Sequence, residues 1–169
     1  MLQAKVITVS DGVAAGERDD RSGPAVVERL VAAGFEVVEH TATSDGVDSV
    51  ALALRLASDG FAGLVVTTGG TGFGPRDETP EATRRVVDRE APGLSEAMRL
   101  VNPLGRLSRG VAGTVGPALV LNVPGSTRGA VECLDAVLAD VPAEHVVPLR
   151  DADDSLVATA SAGDVPELD

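Results

Sequence analysis

The chain of 169 residues has no tryptophan and no tyrosine, and Phe35, Phe61 and Phe73 are its only phenylalanines. Single-stranded nucleic acid is usually held on aromatic side chains that stack against its bases, and this chain has few to offer. Basic charge is also scarce. Lys5 is the sole lysine, and 14 Lys+Arg stand against 26 Asp+Glu, for a formal net charge of -12. Without a basic surface nothing drives counterion release from nucleic acid, and an anionic membrane is disfavoured for the same reason. A small anionic substrate is still allowed, because the local field and not the net charge decides that.

Cys133 is the one cysteine, so no internal disulfide can form. It sits in AVECLDAVL, on the apolar side of a predicted helix with no histidine nearby in sequence, and reads as a core thiol. No apolar run approaches a membrane span, and the N-terminus enters AKVITVS directly. Neither a span nor a signal peptide is expected, and the expected compartment is the cytoplasm.

What is present is an aliphatic chain, 44% hydrophobic, of a size for one domain with its own core. Short apolar runs alternate with amphipathic ones. Strands are predicted over 4–10, 35–41 and 64–68, with a pair over 111–114 and 118–123 joined by Val115-Gly116-Pro117. Helices are predicted after Ser22, which can cap one, after the 43–48 turn, over 80–90, 94–101 and 128–139, with further helical turns over 142–149. Residues 13–21 read as a loop and 103–110 as irregular. This order predicts a three-layer α/β/α sandwich with a mostly parallel sheet and an antiparallel excursion near 111–117. Residues 1–149 form the expected domain, and the acidic segment 150–169 is expected to be a mobile tail.

The stretch LVVTTGGTGFGPRDETPE, Leu64 to Glu81, carries the chemistry. It reads as strand, bare-backbone loop, acidic corner and helix start, with Thr79 before Pro80 as a capping residue. In a parallel α/β sheet such a crossing lies at the carboxyl end of a strand, where ligands bind. Glycines there let backbone N–H groups approach a phosphate, and Gly69, Gly70 and Gly72 are the candidates. The spacing is neither that of a Walker loop nor Gly-x-Gly-x-x-Gly. Asp77 reads as a carboxylate for Mg²⁺ beside a phosphate site, or more plainly as a helix cap or a partner of Arg76. Glu78 and Glu81 fit the helix N-terminus. Asp45 lies at another strand-to-helix turn, where its plainer role is an N-cap, and Asp48 rivals it. Ser10-Asp11 and Asn122-Val123-Pro124-Gly125-Ser126 also end strands, so small polar residues converge on one sheet edge. His40 reads as a strand residue and His145 as helix surface.

TTGGTGFGPRDETPEAT, Thr67 to Thr83, closely resembles the signature loop of the molybdenum cofactor biosynthesis family that includes MogA, MoaB and the gephyrin G domain. Further resemblance runs through Val9-Ser10-Asp11, Asp20-Arg21-Ser22-Gly23, Arg89-Glu90-Ala91-Pro92-Gly93, Leu107 to Gly113 and Leu121 to Ser126, so it covers residues 4–149. It implies an enzyme that transfers AMP from Mg-ATP to the phosphate of molybdopterin and releases pyrophosphate. It also implies that Asp77 and Asp45 are catalytic and handle Mg²⁺. Substrate and nucleotide contacts are implied at Ser10, Asp11, Asp20, Ser22 and Gly23. They are implied again at Thr68, Gly69, Gly70, Thr71, Gly72, Arg76 and Glu81, and at Ser108, Pro124, Gly125 and Ser126. Ser44 stands where the family commonly has proline, which leaves Asp48 as the rival alignment for Asp45. A homo-oligomer, trimer or hexamer, is implied, with a molybdenum-insertase protein as a downstream partner. The alternative is a MoaB-like scaffold or carrier that binds molybdopterin with little turnover.

Overall fold

A computed structural model describes residues 2–138. The helical turns expected over 142–149, His145 and the segment 150–169 lie outside the described residues. In chain order the elements are β1 Gln3–Val9, α1 Asp11–Ala14, α2 Ser22–Ala32, β2 Glu36–Thr43, α3 Val47–Ser58, β3 Leu64–Thr68, α4 Thr79–Arg84, β4 Arg89–Glu90, α5 Pro92–Leu100, a 3-10 turn at Pro103–Leu107, β5 Ala112–Val115, β6 Ala118–Val123 and α6 Thr127–Leu138.

The six strands form one sheet in the order β2-β1-β3-β6-β5-β4. The first four are parallel, while β5 runs antiparallel to β6 and β4 to β5. Alternation along β1 explains the layering. Ala4 and Val6 face one side, with Val26 and Leu30 of α2, Met98 of α5 and Leu134 and Val137 of α6. Ile7 and Val9 face the other, with Val50 and Leu54 of α3 and Ala82 of α4. β3 is buried along its whole length, which is why its sequence is a continuous apolar and threonine run. The result is the expected α/β/α sandwich with a mostly parallel sheet. Each fully buried leucine, such as Leu54 or Leu134, contributes about 1.5–3 kcal/mol of transfer free energy.

The sheet order places the site. β1 pairs with β2 on one side and β3 on the other. The chain therefore leaves β1 in one direction and later returns in the opposite one. This is a topological switch point, and a crevice opens beyond the carboxyl ends of β1 and β3.

Several local expectations are corrected. The helix expected over 80–90 stops at Arg84, and the amides of Val86 and Val87 both reach back to Thr83 O. The β-branched pair Val86-Val87 favours helix weakly. The next residues are needed elsewhere, since Arg89 and Glu90 pair with Thr114 and Gly113. Val13 and Ala14, at the start of the stretch 13–21 expected to be a loop, belong instead to one helical turn over Asp11–Ala14, whose start is fixed by the Ser10 hydroxyl accepting from the Val13 amide at 3.4 Å. Pro103–Leu107 is a 3-10 turn closed by Asn102 Oδ1, which accepts from the Gly105 amide at 2.9 Å. Ser22 does not cap α2. Asp20 Oδ1 takes that place, accepting from the Gly23 amide at 2.8 Å. Thr79 does not cap α4 either; its hydroxyl donates to Gly69 O at 2.9 Å and ties the loop to the helix start.

Candidate functional site at the switch point

Beyond the ends of β1, β3 and β6 lies an open cleft of about 870 Å³. Three segments wall it. The first is the run from Thr8 through Ser10 to the loop 16–22. The second is Thr68, Gly69 and Gly70 at the end of β3, with Asp45 and Asp77 beside them. The third is Gly125, Ser126 and Thr127, which open α6. Both α2 and α6 therefore begin at the cleft, with the positive ends of their dipoles facing it, an arrangement that favours phosphate, although in α2 the Gly23 amide is taken by Asp20 Oδ1 and Pro24 has no N–H.

The glycine loop is built by close backbone approach. Gly69 (φ 111°) and Gly70 (φ 62°) lie in the left-handed region. A side chain at Gly69 would overlap Val9 O, and one at Gly70 would overlap the Thr79 hydroxyl. Gly125 presses against Gly69 from the β6 side, with 3.2 Å from a Cβ position to Gly69 Cα. The Gly69 amide, expected to be available for phosphate, instead donates to Val123 O at 3.1 Å and continues the sheet. The Thr68 hydroxyl donates to Pro124 O at 2.9 Å and fixes the same junction.

The two aspartates flank this loop. Asp45 lies 3.4 Å from a Cβ position on Gly70, and Asp77 lies 2.8 Å from those on both Gly72 and Gly74. Asp77 is not paired with Arg76 and does not cap α4; Oδ2 accepts from the Gly74 amide at 2.7 Å. Asp45 is not an N-cap, since Gly46 holds that position in α3. Instead Asp45 Oδ2 accepts from the Asp11 amide at 2.8 Å, and the Asp45 amide donates to Asp11 Oδ1 at 3.0 Å. Arg76 closes the group, donating to both Asp11 oxygens at 3.2 Å and to Asp45 O at 2.7 Å. The hydrogen bond from Arg76, helped by that from the Asp45 amide and by the Arg76 charge, outweighs desolvation and holds the Asp11 carboxyl below its ordinary range. Asp48 faces away and pairs with Arg85 at 2.6 Å, so of the two rivals only Asp45 lines the cleft.

Of the other expected contacts, Ser10, Asp20, Ser22, Thr68, Gly69, Gly70, Gly125 and Ser126 line the cleft. Asp11, Gly23, Thr71, Gly72, Arg76, Glu81 and Ser108 do not. Pro124 lines a neighbouring hollow that shares Ser126 with the cleft. The Ser108 hydroxyl accepts from the Gly110 amide at 3.2 Å.

Arg109, next to Ser108, was not legible as a functional residue. Its Nε donates to Gly72 O at 2.7 Å, and its other nitrogens reach Asp77 O and the Glu81 carboxylate. Its guanidinium also lies 5.6 Å from the centre of the Phe73 ring. Burial pushes the Glu81 carboxyl up, but the hydrogen bond from Arg109, with the charges of Arg109 and Arg84, outweighs it and leaves the group below its ordinary value. Arg109 thus pins the whole loop from Gly72 to Glu81. Arg18 and Arg21, in the stretch 13–21 read only as a loop, also line the cleft. Their signal was a density of charge too high for a plain connection.

Five carboxylates (Glu17, Asp19, Asp20, Asp45, Asp77) and two guanidiniums line the cleft. Among the described residues no group of three His, Cys, Asp or Glu side chains could hold a metal by itself. This donor set fits Mg²⁺, which is commonly bound through one or two carboxylates together with substrate phosphates and water. Asp45 and Asp77 are the residues placed to supply them.

Residues 5–143 match the family described as "Probable molybdopterin binding domain". The chain belongs to this family. Among its relatives, "Molybdopterin adenylyltransferase" of Helicobacter pylori (strain J99) is 37% identical over 144 residues, covering 81% of this chain and 82% of that one. "Molybdenum cofactor synthesis protein cinnamon" of Drosophila melanogaster is also 37% identical, over 93% of this chain, but the chain spans only 27% of that longer protein. The solved structure of the "Molybdopterin biosynthesis enzyme MoaB" from Thermus thermophilus superposes with a TM-score of 0.81 at 45% identity, covering 88% of this chain and 99% of that one. For a molybdopterin-binding domain the switch-point cleft is the place to look for the ligand. Among the described residues no helix is long and apolar enough to cross a membrane.

Proposed function

We propose that this protein is a molybdopterin adenylyltransferase. Its reaction transfers AMP from ATP to the terminal phosphate of molybdopterin. A phosphate oxygen of molybdopterin attacks the α-phosphorus, a new P–O bond forms there, the bond to the β-phosphate bridge breaks, and pyrophosphate leaves with that electron pair. The observation that supports this most is the joint placement of Asp45, beside Gly70, and Asp77, beside Gly72 and Gly74, in a cleft that two helix N-termini also enter.

Such chemistry needs positioning and charge neutralisation more than covalent participation by the protein. The α2 and α6 N-termini and the Gly70 amide receive phosphate oxygens. Arg18 and Arg21 offset part of the charge of the triphosphate. Asp45, oriented by Asp11 and Arg76, and Asp77, oriented by the Gly74 amide, hold the divalent cation. Mg²⁺, when bound, supplies neutralisation of the phosphate charge that five carboxylates would otherwise repel. Ser10 and Ser126 supply hydroxyl contacts on opposite walls.

The same reading has the protein in the cytoplasm, as a trimer or hexamer, handing its product to a molybdenum-insertase protein. A MoaB-like scaffold without turnover would not need both aspartates at the cleft. The test is incubation of the protein with molybdopterin, ATP and Mg²⁺. Adenylyl-molybdopterin and pyrophosphate are expected in equal amounts, and product no higher than in an enzyme-free control overturns the proposal.

A further inference from the structure

His40, read from the sequence as an ordinary strand residue, lies under the cleft wall. Its Nε2 lies 3.1 Å from Asp20 Oδ2 and 3.2 Å from Thr8 Oγ1. The Thr8 hydroxyl donates to the same Asp20 oxygen at 2.6 Å. With that hydroxyl hydrogen already committed, only oxygen lone pairs face Nε2. Nε2 is therefore the protonated nitrogen and donates to Asp20. The other Asp20 oxygen accepts from the Gly23 amide at 2.8 Å.

This cluster has no slack. Thr8 is 2% exposed at the end of β1, and the Asp20 and His40 side chains are 17% and 30% exposed. A Cβ on Gly23 would overlap Asp20, His40 and Thr8 together, so only glycine lets the three close over it. Asp20 also belongs to the segment 16–22, every residue of which lines the cleft. The other described side-chain tie from this segment to β1 or its end is the weaker one from Arg18 to the Ser10 hydroxyl, at 3.2 Å.

We propose that His40 is a positioning residue. Acting through Asp20 and Thr8, it latches the 16–22 wall onto the end of β1 and keeps the cleft in its binding shape. This rests on the cleft being the substrate site described above. His40 touches no substrate; it is not in the cleft lining and borders a separate groove with Pro24 and Val37. Its loss lowers the fraction of molecules with the wall in place, and apparent affinity falls by that fraction.

The test compares unmodified protein with His40→Ala and His40→Gln. The amide of Gln can donate to Asp20 where Ala cannot. Two readouts are taken on each protein: hydrogen exchange at the Gly23 amide, and steady-state kinetics with molybdopterin and Mg-ATP. In His40→Ala, Gly23 exchange is expected to rise by about tenfold, with the KM of at least one substrate rising about five- to tenfold and kcat staying within about twofold, as for the loss of one hydrogen bond to a charged group. His40→Gln is expected to recover most of both. Exchange and KM within about twofold of the unmodified protein in His40→Ala overturn the latch. So does a fall in kcat with KM unchanged, or a Gln variant no better than Ala. If the unmodified protein makes no adenylyl-molybdopterin, the functional reading fails by itself, and Gly23 exchange alone decides the latch.

Discussion

Asp11 and Asp45 hold each other: the amide of each donates to the carboxylate of the other, at 2.8 and 3.0 Å. The exchange joins the end of β1 to the turn after β2, two neighbouring parallel strands. It leaves Asp45 Oδ1 directed toward Gly70. Asp48, three residues on, is committed to Arg85 on the outside. Asp45→Asn is therefore expected to lose turnover by roughly 10²-fold or more, the scale of losing one electrostatic group at a transition state. Asp48→Asn is expected to stay near the unmodified rate. Initial rates of pyrophosphate release check both, and an inactive Asp48 variant beside an active Asp45 variant would reverse the assignment.

Arg76 completes that group, so its loss should be felt through pH as well as rate. The Asp11 carboxyl is held below its ordinary value of 3.8, chiefly by the Arg76 hydrogen bond. A carboxyl depressed in the folded state binds fewer protons there than when unfolded, so its contribution is present above the ordinary value and fades as pH falls through the lower folded one. In Arg76→Gln the difference in urea midpoint from the unmodified protein is expected to be constant near neutrality and to shrink below about pH 4. The pair is exposed, so the effect is small. A difference that widens on acidification would contradict the role given to Arg76.

Arg109 serves the opposite side of the loop. Removing it strips the partners from Gly72 O, Asp77 O and the Glu81 carboxylate together. Arg109→Ala is expected to lower stability by about 1–3 kcal/mol and to cost activity through a loosened Asp77. Arg109→Lys should recover little, because an ammonium cannot present the planar fork that reaches three acceptors. Urea melts with an unchanged slope give the first number. Full rescue by lysine would show that charge alone, and not the fork, holds the loop.

The architecture and the floor of the cleft were legible because they follow from short-range signals. Alternation in β1, the continuous apolar run of β3 and the turn at 115–117 specify strands, and strand ends specify where a cleft can open. The long-range partners that hold these segments were not legible. Arg76 reaches Asp11 across 65 residues and Arg109 reaches Glu81 across 28. Adjacency in sequence suggested Arg76 for Asp77, and nothing local could show that the guanidinium turns to the other strand. His40 failed for the same reason. A lone histidine in an edge strand looks ordinary until the Gly23 backbone is seen to leave room for it. The helix over 80–90 failed because pairing of β4 with β5 outweighs the local pattern.

Cys133 offers a check on the core that needs no substrate. Its side chain is buried on α6, and its thiol donates to Met98 O at 3.5 Å. Burial, with a lesser push from Glu132, raises the thiol to about 11. At pH 8 almost none of it is thiolate, and the thiolate is the form that attacks a disulfide reagent. In the folded protein Cys133 is expected to resist an aromatic disulfide reagent at pH 8 for as long as the fold stays closed. In urea above the unfolding midpoint it should react completely, one equivalent per chain. The rate of native labelling then measures how often the layer of α5 and α6 opens. Prompt labelling of the native protein would mean that this layer is not packed on the sheet as described.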